Sequence, residues 1–387
     1  MNYSGQHRPP PRQTVIYGKP IREALDEALT PLAVTKVALV SSDSLMASGG
    51  LASQVQQALG PRYVATIAGP AAHAPRADVI RIAASLRANG ADTVVVLGGG
   101  SACDAVKAAL LCISNNVTEA ADMDRLRMGT GMGMGNPVQA PNLGFVMIPT
   151  TLSAAEFSPF AGVNDERVPR KEGYTHEHLV PSHVVLDATM TRATPNQLWF
   201  STAIRAIDHA VEAWCSNNST PYSDAMSLHA LRLLGPALQR LAKSSDDLDA
   251  RLQCQIGAWL SIQGFVAGVA FGASHGIGHA LGGTAGMPHG ETSCVMLPHV
   301  LRFNASVNAA RQASLSEAMG RPGVAASDVV GELVAALGMP TRLRDAGVSH
   351  DILPKVADEA IHDMFVKTNP RTIDSADQIL ELLEQAW

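Results

Sequence analysis

Ser274-His275-Gly276-Ile277-Gly278-His279 places two histidines four residues apart, and a third, His289, follows within Met287-Pro288-His289-Gly290. On a helix, His275 and His279 share one face, and that spacing lets two imidazoles converge on one metal or one substrate. His289 is expected to reach the same place from the following loop. A second group lies upstream, at Arg205-Ala206-Ile207-Asp208-His209. A metal site would want a carboxylate four residues before His209, and the chain has Arg205 there. A guanidinium stays protonated at any useful pH. Two unit charges about 4 Å apart, at an effective dielectric constant near 20, repel by about 4 kcal/mol, and a divalent ion roughly doubles this. A metal at that place is therefore disfavoured. Asp208 points about a quarter-turn away from His209. Glu212 lies close to the Arg205 face, where it could act as a ligand or, as the spacing favours, as the ion-pair partner that holds Arg205.

A separate kind of chemistry is written at Gly98-Gly99-Gly100-Ser101, which follows the apolar run Val94-Val95-Val96-Leu97 and precedes a helix carrying Asp104 and Lys107. Glycines let a backbone approach a ligand, and the free N–H groups of a helix start attract anions, so a pyrophosphate is the expected occupant. Asp43, just past an earlier strand, is a candidate for the ribose or adenine of a nucleotide. A carboxylate there repels a 2′-phosphate, which favours NADH over NADPH.

The elements that must position these groups fall into two halves. Apolar runs at Thr14 to Tyr17, Val37 to Val40, Tyr63 to Ile67, Thr93 to Leu97 and Gly144 to Pro149 predict strands. Amphipathic stretches at Leu51 to Leu59, Ala77 to Asn89 and Ala102 to Cys112 predict helices between them. The alternation implies βαβ crossovers and a parallel sheet, with ligands at the carboxyl ends of its strands. Met128 to Pro141 reads as a loop. Beyond Val184-Val185-Leu186 long helical patterns take over, at Ser201 to Cys215, Ser223 to Leu241, Asp247 to Val266 and Ala326 to Leu337. The expected organisation is a mobile, Pro-rich tail over 1–13, an α/β dinucleotide-binding domain over 14–186 and an α-helical catalytic domain over 187–387, with the active site in the cleft between the two domains.

Composition narrows the class further. With 387 residues and 46% hydrophobic content the chain can bury two cores. Its net charge of -6 and its scattered basic residues argue against nucleic acid. No apolar run reaches membrane-spanning length and no export signal is evident. Five cysteines without a CxxC pair read as buried thiols in a reducing, cytoplasmic setting.

Taken together, Gly98-Gly99-Gly100-Ser101-Ala102-Cys103-Asp104-Ala105-Val106-Lys107, Pro149-Thr150-Thr151, Asp208-His209-Ala210-Val211-Glu212, His275-x3-His279, Pro288-His289-Gly290 and Leu297-Pro298-His299-Val300-x2-Phe303-Asn304 resemble the iron-containing alcohol dehydrogenase family in order and spacing, over about residues 14 to 385. The resemblance implies the dehydroquinate synthase-like architecture of that family: a nucleotide-binding α/β domain, an α-helical domain, and hydride transfer with NAD(P)H. It also implies a homodimer. In metal-binding members the ligands are an Asp, a His four residues on, and the first and third histidines of the later cluster. Here those positions are Arg205, His209, His275 and His289. The lost ligand is the only anionic one, which makes the chain similar to the maleylacetate reductases. These are metal-free members that reduce the carbon–carbon double bond of a small dicarboxylate with NADH during aromatic-ring breakdown, and they imply a small carboxylated substrate here.

Further roles follow from this resemblance. The family's Gly-Thr-Gly-Ser-Glu loop is altered here to Leu152-Ser153-Ala154-Ala155-Glu156, yet Thr150, Thr151 and Ser153 can still donate to the diphosphate or nicotinamide. Lys171 lies where the family often carries a lysine near the nicotinamide ribose. His279 is the candidate proton donor, since an imidazole suits general acid work near neutrality. His299 reads as structural. Two rival readings are a metal-dependent alcohol dehydrogenase, with His209, His275, His289 and Glu212 as ligands, and an inactive protein that keeps the nucleotide site.

Overall fold

Runs of valine and leucine, buried on both faces, make the centre of a six-stranded sheet in which every pairing is parallel, as continuous apolar strands require. The computed structural model describes residues 12–47, 50–129, 138–167 and 170–387. The strands are β1 (Thr14–Tyr17), β2 (Val37–Ser41), β3 (Tyr63–Ala68), β4 (Thr93–Gly98), β5 (Gly144–Pro149) and, after a two-stranded antiparallel hairpin of β6 (Phe160–Asp165) and β7 (Arg170–Thr175), β8 (His183–Leu186). The sheet order is β1-β8-β5-β4-β2-β3. Between strands run α1 (Ile21–Leu29), α2 (Asp43–Ala47), α3 (Leu51–Leu59), α4 (Arg76–Ala88) and α5 (Gly100–Ser114). Leu39, Val95, Leu97, Val146 and Val185 form one face of the sheet and pack against Leu25 and Leu29 of α1 and Val55 and Leu59 of α3.

This first compact unit ends at Thr194, and the second runs from Pro195 to Trp387. The boundary falls eight residues beyond the expected 186. The reason is local: after β8 the chain makes a 3-10 turn over Ala188–Thr191, and Thr194 Oγ1 donates to Thr150 O at 2.7 Å. The expected tail also ends sooner than residue 13, because Gln13 Nε2 donates to the carbonyls of Glu156 and Pro181, each at 2.9 Å. Residues 1–11 of that tail lie outside the described residues, as do 130–137 of the expected loop.

The second unit is helical: α6 (Asn196–Cys215), α7 (Pro221–Leu241), α8 (Leu248–Ser261), α9 (Gln263–Val266), α10 (Ala273–Ala285), α11 (His289–Ala318), α12 (Ala326–Ala336), α13 (Leu353–Ala360), α14 (Met364–Lys367) and α15 (Ala376–Ala386). The predicted helix from Asp247 to Val266 is thus two helices, α8 and α9. From Trp199 onward α6 is buried nearly all round, which makes it the axis of this unit. Glycines let α10 lie close to its neighbours. A Cβ on Gly276 would come within 2.8 Å of Val366 N, and one on Gly278 would come within 2.8 Å of Thr292 Oγ1. None of the described helices is long and apolar enough to cross a membrane.

Candidate active site

In the α/β unit the glycine loop joins β4 to α5. Gly98 closes the strand in register with Pro149, Gly99 precedes the helix with no side-chain cap, and α5 starts at Gly100, two residues before the expected Ala102. The first N–H groups of α5 therefore keep their capacity for an anion. The glycines are needed for packing as well. A Cβ on Gly99 would come 2.8 Å from Thr151 Cγ2, and one on Gly100 would come 3.0 Å from Ser153 Oγ. Thr150 and Thr151 are buried, and Thr151 Oγ1 has no hydrogen-bond partner among the described residues. Ser101 Oγ accepts from His73 N at 3.1 Å. Asp43 is exposed and opens α2 at the carboxyl end of β2.

Two predicted cofactor residues are otherwise engaged. Asp104 is turned into the protein, where burial raises its pKa and Lys171 and Lys107 oppose the rise. Lys171 Nζ lies 3.9 Å from Asp104 Oδ2, so the pair is a link between α5 and the β6-β7 hairpin. Sequence spacing could not reveal this link, because the hairpin was not foreseen. Lys107 is fully buried and donates to three carbonyls, Ala155 O at 2.6 Å, Ser158 O at 2.7 Å and Phe160 O at 2.9 Å. It holds the segment that follows Thr150 and Thr151.

Glu156 sits in this same segment, buried, with Oε2 unpartnered among the described residues. Burial pushes its pKa up from 4.5 to about 7, with Lys107 opposing and Asp104 assisting. The folded-state value lies above the unfolded one, so the stability that this group contributes is complete below about pH 4.5 and is lost as pH rises through about 7. Glu156→Gln keeps the shape without the ionisation. Urea unfolding should show its advantage over the wild type growing by about 2 to 3 kcal/mol between roughly pH 5 and pH 8. Parallel pH profiles for the two proteins would contradict this assignment.

In the helical unit α6, α10 and the first turn of α11 bring Arg205, Asp208, His209, Glu212, His275 and His289 together, with His279 stacked on His289. The two rings of that stack have centroids 5.7 Å apart and planes within 5°. His209 and His275 stack at 5.2 Å, and Phe271 lies on His275 at 4.0 Å. His289 does not arrive from a loop: it is the first residue of α11, directly after the N-cap Pro288.

Arg205 is 6% exposed. Its Nη2 lies 2.8 Å from His289 Nε2, and its Nη1 donates to Ser293 Oγ at 3.0 Å. A guanidinium has only protons to offer, so His289 Nε2 is the acceptor and its lone pair is occupied. Ser293 in turn donates to Asp208 Oδ2 at 2.6 Å, as does Ser274 at 2.8 Å. Asp208 Oδ2 stands 3.9 Å from Arg205 Nη1, so Asp208 is the acid that faces Arg205.

Glu212 is not the partner of Arg205. It caps α10, whose own N-cap, Gly272, has no side chain: its carboxylate accepts from Gly272 N and Ser274 N at 2.8 Å each, and it lies 2.7 Å from His275 Nδ1. Among the described residues Asp208, Glu212 and His275 bring ligand-type atoms within 4.8 Å of one another. Glu212 is spent on His275 and on backbone N–H groups, and Asp208 Oδ2 on the hydroxyls of Ser274 and Ser293, while Asp208 Oδ1 has no hydrogen-bond partner among the described residues. Burial raises the pKa of both Asp208 and Glu212, with Asp208 adding to the rise at Glu212. Burial, and after it the Arg205 charge, holds His209 and His275 well below the ordinary imidazole value, so both are neutral. Arg205 is pulled down by burial, against the carboxyls of Asp208 and Glu212.

The donor set thus does not fit a divalent ion at Arg205, His209, His275 and His289. One ligand position holds a cation, and that cation occupies the His289 nitrogen. What remains is a fixed positive group ringed by neutral imidazoles, suited to hold a negative charge. His279 and His289 are the exposed members; the His279 side chain is 39% exposed, with Nδ1 at 2.9 Å from Asp363 Oδ2. The sequence reading assigned no role to Ser274, Ser293 or Asp363. Ser293 could have been found, since it lies four residues after His289 on the same helix face.

Comparison with known proteins agrees with this architecture. A profile described as iron-containing alcohol dehydrogenase matches residues 11–188, and one described as the Fe-containing alcohol dehydrogenase family, C-terminal, matches residues 200–387. The chain is 33% identical to the dehydrogenase FUM7 of Gibberella moniliformis, over 96% of this chain and 95% of that protein. It is 31% identical to maleylacetate reductase 1 of Rhodococcus opacus, over 96% and 94%. Among solved structures, an alcohol dehydrogenase from Ralstonia eutropha JMP134, described as putative, superposes with a TM-score of 0.85 at 27% identity, covering 100% of this chain and 98% of that one.

Proposed function

Because this chain belongs to the iron-containing alcohol dehydrogenase family, we propose that it is an NADH-dependent, metal-independent reductase of a small carboxylated substrate, converting maleylacetate to 3-oxoadipate or acting on a close analogue. The observation that carries this reading is the 2.8 Å contact from Arg205 Nη2 to His289 Nε2. It puts a permanent cation where a metal would need an anionic ligand, and it fills one of the three remaining ligand nitrogens. The likeness to maleylacetate reductase 1 supports the substrate class.

The glycine loop fits a dinucleotide. The uncapped start of α5 and the orphaned Thr151 Oγ1 would take the diphosphate, and Asp43 favours an unphosphorylated ribose. When bound, NADH supplies the hydride. Each terminal nitrogen of Arg205 has one N–H committed, to Ser293 and to His289, and one left for the substrate carboxylate or for the oxygen that gains charge as hydride adds to the conjugated double bond. His279 holds the proton that completes the reduction at the neighbouring carbon, on Nε2, because Nδ1 faces Asp363. The balance is one hydride and one proton added across the double bond, with the nicotinamide oxidised.

One observation favours the metal-dependent alternative: His209 Nδ1 and His275 Nε2 are both buried without a hydrogen-bond partner among the described residues. Metal analysis of the purified protein, together with turnover of maleylacetate and of uncharged aldehydes before and after chelation, decides between them. The expected result is substoichiometric metal, chelator-resistant activity and a preference for the carboxylate. A stoichiometric metal whose removal ends activity would overturn the reading.

A further inference from the structure

Asp363 precedes the short helix α14, 84 residues from His279 in sequence, and its two carboxylate oxygens have separate tasks. Oδ1 accepts from Phe365 N at 2.8 Å and so caps α14. Oδ2 lies 2.9 Å from His279 Nδ1. The approach of α10 to this cap depends on Gly276, where a Cβ would come 3.1 Å from Asp363 Oδ1 and 2.8 Å from Val366 N. The ring of Phe365 packs on His279 at 5.6 Å, and His289 stacks on it at 5.7 Å. His279 is thus held by two rings and at one nitrogen. Its other nitrogen, Nε2, has no hydrogen bond among the described residues.

We propose that Asp363 is a positioning residue that fixes His279 with its proton on Nδ1, so that Nε2 alone moves a proton to and from the substrate. The proposal rests on the reading of His279 as proton donor. A carboxylate can only accept, so Nδ1 carries a hydrogen whether the ring is charged or neutral. Before transfer the carboxylate stabilises the imidazolium, and after transfer the same hydrogen bond persists on the neutral ring. The other titratable groups near His279 are His289 in the first turn of α11, His275 one turn earlier on α10, and Arg205 of α6 beyond His289. None of these fixes its tautomer.

Asp363→Asn separates the two tasks. The amide oxygen can still cap Phe365 N, while the NH₂ group faces His279 Nδ1 and makes it an acceptor, driving the neutral proton to Nε2. In Asp363→Asn, kcat should fall by about one to three powers of ten while KM for the carboxylate substrate stays within about threefold. Nitrogen-15 shifts of the imidazole should show the Nδ1–H tautomer in the wild type and Nε2–H in the variant. Asp363→Glu should recover part of the loss, and His279→Ala/Asp363→Asn should be no slower than His279→Ala alone. An Nε2–H tautomer in the wild-type protein overturns the proposal without recourse to any variant. So does unchanged kcat in Asp363→Asn when His279→Ala is strongly impaired, a result that leaves His279 as the donor. Wild-type turnover in His279→Ala would instead remove the donor reading itself, and this proposal with it.

Discussion

Arg205→Ala is expected to lower turnover of a carboxylate substrate by two orders of magnitude or more and to leave NADH binding unchanged. The guanidinium is almost fully buried, and it is fixed at both ends by Ser293 and His289. A substrate anion brought into that pocket without it would be a buried charge with no partner, at a cost of about 3 to 5 kcal/mol. Its loss also deprives Asp208 of the cation that faces it, so the thermal midpoint should be followed alongside the kinetics. Arg205→Asp should act in the opposite sense on metal affinity. It restores an anionic ligand on the face of α6 that carries His209, and it frees His289 Nε2 to coordinate. Calorimetric titration with Zn²⁺ or Fe²⁺ should then show binding that the wild type lacks. Equal carboxylate turnover by Arg205→Ala and wild type would remove the anion pocket from the account.

How far the sequence led to this pocket depended on whether a group acts through local spacing. Arg205 and His209, and likewise His275 and His279, lie four residues apart on single helices, so their convergence could be inferred without knowing how the helices pack. The role of Glu212 could not, because it depends on where α10 begins. Gly272 lacks a capping side chain, and the carboxylate that fills the vacancy comes from 60 residues upstream. Asp363 reaches His279 from still farther away, with no spacing to betray it.

The fold shows the same division. The central strands β2, β4 and β5 are buried on both faces and stand out as unbroken apolar runs. The β6-β7 hairpin does not, because two acids share its inward face with Ala161, Val163 and Tyr174: Asp165 and Glu172 are buried around Arg76, which also donates to Asp124 at 2.6 Å. An ion network replaces the apolar alternation by which strands are recognised. Helix α11 was hidden for another reason, since it carries Pro298 inside it, kinks at Asn308 and is buried on nearly every side over its first half, which leaves little amphipathic pattern.

His279→Ala should reduce kcat by about two to four powers of ten, with a much smaller change in substrate affinity. Of the four histidines in the pocket it alone combines an accessible ring with a nitrogen free for the substrate. His209 and His275 are buried and held neutral beneath it, and His289 is committed to Arg205. Hydride addition leaves negative charge on the substrate, and Arg205 can stabilise that charge but cannot discharge it, because its protons do not transfer near neutrality. A proton must therefore come from another group, and His279 is placed to provide it. The loss should appear in single-turnover measurements as a slowed chemical step, partly restored by added imidazole. A rise confined to KM would make His279 a binding residue and pass the proton to ordered water.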